Sequence, residues 1–168
     1  MEQDSFCALN RVDREWVRKK VIGALREAGF DEGSMKLDES FVLATKDGEL
    51  QIPIEIMVCL DQKPIVLVKC VRGYMSTRER AAVALARLLA DTPIPFAIVA
   101  NEKDAVVYDA ITGKAVGRGY RAFPRPPEAE QRLKDCTDFR IPPDQRMREE
   151  RILETYYHLR CTVDMEPF

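Results

Sequence analysis

The sequence predicts an α/β domain, a mixed central sheet flanked by helices. Three observations point there. Residues 51–60 alternate in polarity, with Ile52, Ile54, Ile56, Val58 and Leu60 on one side and Pro53, Glu55, Met57 and Cys59 on the other. Residues 64–71 and 96–100 are apolar on both faces apart from Lys69, the mark of strands covered from both sides. An Ala- and Leu-rich helix lies between those two strands, so they are expected to run parallel through a right-handed crossover.

The elements follow in order. Val17, Val21, Ala24, Leu25 and Ala28 recur at helical spacing, and Arg14, Arg18, Lys19 and Arg26 decorate the outside. This predicts a helix over 13–28, with Asp13 as N-cap, Gly29 as stop and Trp16 as a core or helix-packing residue rather than a binding aromatic. Residues 41–44 (FVLA) read as a strand ended by the turn Lys46-Asp47-Gly48. In the next strand Pro53 has no N–H for a ladder, which places it at an edge or a strand start. The turn Asp61-Gln62-Lys63 leads into strand 64–71. Helix 77–90 carries a Ser76/Glu79 capping box and stops at Asp91-Thr92-Pro93. Strands 96–100 and 105–109 flank the turn at Asn101–Asp104, giving a sheet of four or five strands.

Residues 1–119 are thus the α/β core. Beyond them Pro124, Pro126, Pro127, Pro142 and Pro143 are expected to break the chain into extended arms. A last helix, about 145–159, carries Met147, Ile152, Leu153, Tyr156, Tyr157 and Leu159 and is expected to dock back on the core. Residues 120–168 are therefore an arm and a helix of one domain, which the length of 168 residues also favours.

A net charge of -2 gives no global attraction to nucleic acid, so DNA binding would need a local basic patch. No apolar run reaches membrane-spanning length and the N-terminus lacks a signal-peptide layout. The five cysteines, Cys7, Cys59, Cys70, Cys136 and Cys161, are odd in number and form no CxxC pair, which argues against zinc and for a reducing cytoplasm.

Two charges stand out inside apolar strands, Glu55 and Lys69, because such groups are costly unless paired, solvated or used. Their setting carries a resemblance. Arg14-Glu15-x-Val17-Arg18 on a helix precedes Glu55-Ile56-x-Val58, then Lys63-Pro64, an Ala/Leu helix, a strand ending in Asn101, and Val106-Val107-Tyr108-Asp109 followed by Thr112-Gly113-Lys114. This resembles the N-terminal nuclease-type domain of type I restriction enzyme R subunits, of the restriction-endonuclease-like, PD-(D/E)XK superfamily, over roughly residues 11–115. The resemblance implies a restriction-endonuclease-like fold, DNA as partner, and Mg²⁺ held by two carboxylates if the domain is active. It matches Glu55 to the first acid and metal ligand, Lys69 to the second acid and Val71 to the catalytic lysine. An ammonium offers Mg²⁺ no lone pair and repels it. The expectation is therefore a Glu55–Lys69 salt bridge, a degenerate metal site and little or no nuclease activity. Glu15 could supply a replacement carboxylate, with Lys69 as the lysine, although it is also spaced to pair with Lys19.

Arg118, Arg121 and Arg125 interleave with Tyr120 and Phe123 and are the candidate nucleic-acid contacts, against the reading that the aromatics pack on the core. His158 has no nucleophile near it in sequence, and Gly117-Arg118-Gly119 lacks the spacing of a dinucleotide loop. The alternative function is a non-catalytic protein-interaction or structural module of the same fold. The sequence does not fix the oligomeric state.

Overall fold

The apolar stretch expected to be the central strand is the pivot of the architecture. In the computed structural model, which describes residues 2–45 and 48–163 and the side chains of 14–44 and 48–157, it forms β3 (Lys63–Cys70). Every residue of β3 from Ile65 onward is buried, as a strand covered on both faces requires. It lies between β2 (Gly48–Leu60), antiparallel, and β4 (Phe96–Ala100), parallel. β1 (Met35–Thr45) pairs outside β2, while β5 (Ala105–Asp109) and β6 (Ala115–Arg118) extend the other side. The six-stranded sheet therefore runs in chain order, β1-β2-β3-β4-β5-β6. Its one parallel pair is bridged by α2 (Glu79–Leu88).

Helices cover both faces. Val17, Val21 and Leu25 of α1 (Glu2–Ala28) and Ala129 of α3 (Pro126–Cys136) pack with Ile56, Val58, Val66, Val68 and Ile98. On the opposite face α2 and α4 (Pro143–Val163) enclose Ile52, Ile54, Met57, Leu67 and Val99. The mixed sheet between helical layers is the α/β fold read from the sequence.

Several local expectations are corrected. α1 begins at Glu2, so Asp13 is internal to it; nothing before Gly23 is a Pro or Gly that would stop a helix. Trp16 is 53% exposed, because Val17, Val21 and Leu25 define the inward stripe and a neighbour in sequence points elsewhere. β1 spans eleven residues where four were expected; its polar first half suits an outer strand. β6, short and mostly exposed, makes the sixth strand. α2 starts at Glu79 with Arg78 at the N-cap and no side-chain cap, so Ser76 lies two residues short of the cap position and the expected box does not form. Residues 126–136, expected to be extended, are helical: Pro126 opens α3 at a position where no N–H is needed, and Glu128 accepts from the Arg125 N–H. Pro143 opens α4 in the same way. Lys46 and Asp47 of the expected turn lie outside the described residues.

β2 also departs from simple alternation. Ile52 and Ile54 join the α2/α4 side with Met57 and Cys59, whereas Ile56 and Val58 join the α1/α3 side. The change of face falls at Glu55. There the β1–β2 register passes from Leu37↔Ile56 to Glu39↔Ile54, with Asp38 at φ 55° between them.

Candidate active site

The β2–β3 ladder ends at the rung Ile56↔Val68. Glu55 and Lys69 occupy the next step of that register, where β2 turns its course and leaves β3. Pro53, just beyond, still pairs with Ser40 of β1 but has no N–H for β3. Its carbonyl is free to face Lys69. The Lys69 ammonium donates to Pro53 O at 2.5 Å and to Glu55 Oε1 at 3.2 Å. It also stands 3.0 Å from Glu55 Oε2. Oε2 is buried, with the Lys69 ammonium as its charged partner. The two side chains are 8% and 16% exposed, so the pair is largely removed from water.

This arrangement does not fit a divalent metal. Mg²⁺ wants several oxygen ligands around an open position. Here a fixed cation already sits against the carboxylate and a backbone carbonyl. Val71, matched to the catalytic lysine, is buried in the α2/α4 core and its N–H bonds Ala100 O. Asp38, on the neighbouring strand, is 72% exposed and takes both of its bonds from Arg18, at 2.7 and 2.8 Å. Glu15 is half-exposed on α1, 3.9 Å from Lys19, the geometry of an i,i+4 surface pair. Among the described residues no group of three or more His, Cys, Asp or Glu could hold a metal ion.

Neighbouring ionisable groups are tuned toward neutrality. Burial pushes the Cys70 thiol up to about 12, and the Glu55 charge adds to this, against the lowering influence of Lys69, Arg18 and Arg14. Burial likewise raises Cys59, and takes Cys136 to about 11. These thiols behave as small apolar groups, not nucleophiles.

The structure brings Glu55 and Lys69 together but separates the three arginines. Arg118 pairs with Val106 on the α2/α4 side, near enough for its charge to act on Tyr108. Arg121 and Arg125 line a cleft on the α1/α3 side with Ala24, Glu27, Ala28, Tyr120 and Phe123. Phe123 is buried there, and the Tyr120 hydroxyl donates to Asn101 O at 2.5 Å. The side chain of His158 lies outside the described ones.

Sequence reasoning missed a second buried ion pair. Arg87 of α2 bonds Glu149 of α4 at 2.5 Å, Ala110 O at 2.6 Å and Ile111 O at 3.1 Å. The one available signal was an arginine within the otherwise apolar run ALARLLA.

The family model described as Type I restriction enzyme R protein N terminus matches residues 13–124, which span the C-terminal part of α1, all six strands and α2. No curated protein and no solved structure matches the chain. The match covers well over half of the sequence: the chain belongs to the type I restriction R-protein N-terminal family.

Proposed function

We propose that this member of the R-protein N-terminal family is a DNA-associated domain whose metal site is degenerate and which has little or no nuclease activity. One observation carries the reading: the Lys69 ammonium is bound to Glu55 and Pro53 O at the position matched to the second carboxylate. A metal-dependent nuclease of this kind uses the ion to activate water and to stabilise charge on the phosphate. Glu55 alone, neutralised by Lys69, offers neither a second ligand nor a lysine at Val71. The residues present hold a salt bridge and no step of phosphodiester cleavage follows from them. DNA association is supported by the family, with Arg118, Arg121 and Arg125 as candidate contacts.

The test combines calorimetry with plasmid nicking. Mg²⁺ and Mn²⁺ should show no binding, and neither ion should support nicking by the wild type. Metal-dependent cleavage that disappears in Glu55→Ala would overturn the inactive reading. Anisotropy with labelled DNA should show binding that weakens with salt.

A second reading, a protein-interaction module, draws on β1: this outer strand leaves Leu37 and Val42 exposed. Absence of DNA binding at low salt would favour it.

A further inference from the structure

We propose that the surface shared by α1 and the short turn Tyr120–Ala122 binds single-stranded nucleic acid, with Trp16 as the stacking platform and Arg121 and Arg125 as phosphate contacts. The proposal rests on the DNA-associated reading and assigns it a place far from the Glu55–Lys69 pair.

Trp16, the only tryptophan, is 53% exposed. Burying a large aromatic is ordinarily favourable, so an exposed one on a rigid helix is worth a functional question. Trp16, Lys20, Ala24 and Ala28 follow at four-residue spacing and share one stripe of α1. The Lys20 ammonium lies 5.3 Å from the Trp16 ring centroid and 4.5 Å from that of Tyr120, joining the stripe to the turn. The stripe then continues into the cleft lined by Ala24, Ala28, Phe123, Tyr120, Glu27, Arg121 and Arg125, about 230 Å³ in volume.

The charges set the occupant and its direction. Arg121 and Arg125 share the cleft with Glu27, whereas Lys20 lies against Glu102, so the positive charge of this path is concentrated at the two arginines. Arg121 and Arg125 are exposed and make no ion pair among the described residues. Their guanidinium groups are suited to phosphate oxygens. Toward Trp16 the Lys20 ammonium is already engaged by the Glu102 carbonyl at 3.4 Å, so phosphate is drawn to the arginines and bases are placed beside Trp16. A base needs an open face to stack on Trp16, which a paired duplex does not present, hence the single strand.

The lone tryptophan makes the test direct. A labelled oligothymidylate is titrated into the full chain while anisotropy and Trp16 fluorescence are followed together. The expected result is binding with quenched fluorescence, weaker at higher salt with a slope set by about two phosphates. Arg121→Glu with Arg125→Glu should weaken binding on the order of tenfold, and Trp16→Ala should weaken it by a similar factor through lost stacking. A duplex of the same length should quench less. Binding by anisotropy without quenching, and unaffected by the arginine reversals, overturns this site while leaving DNA association standing. No binding of either DNA overturns both.

Discussion

Two of the buried ion pairs among the described residues are built differently. Arg87 joins three elements: its three nitrogens donate to Glu149 and to the carbonyls of Ala110 and Ile111. It ties α2, α4 and the loop after β5 into one unit. Lys69 closes on a smaller set, Glu55 through both carboxylate oxygens and the Pro53 carbonyl, all within one strand. The contrast teaches that burial alone does not describe a salt bridge; what it ties together does, two helices and a loop at Arg87 but a single hairpin at Lys69.

The contrast breaks most visibly at Arg87. Arg87→Ala leaves Glu149 charged and buried, together with two carbonyls, and should lower stability by about 3–5 kcal/mol in urea unfolding. The double variant Arg87→Met with Glu149→Leu should recover most of that loss, because an apolar pair of similar size removes the unpaired charge. If Arg87→Ala unfolds at the wild-type denaturant concentration, the staple between α2 and α4 is not structural.

Lys69 should behave more mildly. Lys69→Met leaves Glu55 with its 16% exposure as a route to water, so the loss should be about 2 kcal/mol. Lys69→Met with Glu55→Met should match or exceed the wild type, since it replaces both largely buried charges by apolar side chains. A double variant much weaker than the wild type would show that the pair contributes net stability and that the contrast with Arg87 is false.

A third substitution sharpens the site itself. Lys69→Glu would set two carboxylates and the Pro53 carbonyl around one point. Mn²⁺ or Ca²⁺ should then raise the thermal midpoint, worth about 2.7 kcal/mol at one hundred times the dissociation constant. The wild type should show no such rise. Equal response of both proteins would mean that the ion binds elsewhere.

The two pairs also differ in how far the sequence announces them. Glu55 and Lys69 interrupt an apolar hairpin whose strands are joined by a tight turn, so period and proximity together predict their meeting. Arg87 and Glu149 lie on two helices 62 residues apart, and Glu149 has charged neighbours that pass for ordinary surface. Only the docking of α4 brings them together, and docking is not local. The same limit explains the elements. β3, β4 and α2 were legible because burial imprints apolar residues on them. β1 and β6 are outer strands with polar residues, and α3 begins at a proline that serves equally well to end a segment or to open a helix. The face change at Glu55 was hidden too, because alternation continues in sequence while Asp38 at φ 55° interrupts it in space.

The smallest effect extends the contrast to a neutral group. Tyr120, like Arg87, has its donor engaged, here by Asn101 O. Burial first, and then the nearby Cys70, Asp104 and Glu102, push its pKa from 10.0 to about 12. The phenol of the unfolded chain therefore loses its proton earlier than that of the folded one. Between pH 10 and 12 the unfolded state binds fewer protons, so stability must fall as pH rises; below pH 10 both states are protonated and the term vanishes. Tyr120 is only half-buried, so solvent screening should hold the effect to about 0.5 kcal/mol. Tyr120→Phe should flatten that part of the alkaline unfolding curve, and absorbance titration of the wild type should show two phenols, Tyr120 and the buried Tyr108, ionising above the others, with one of them lost in the variant. A wild-type curve with the same alkaline slope as the variant would mean that the Asn101 contact does not hold the proton.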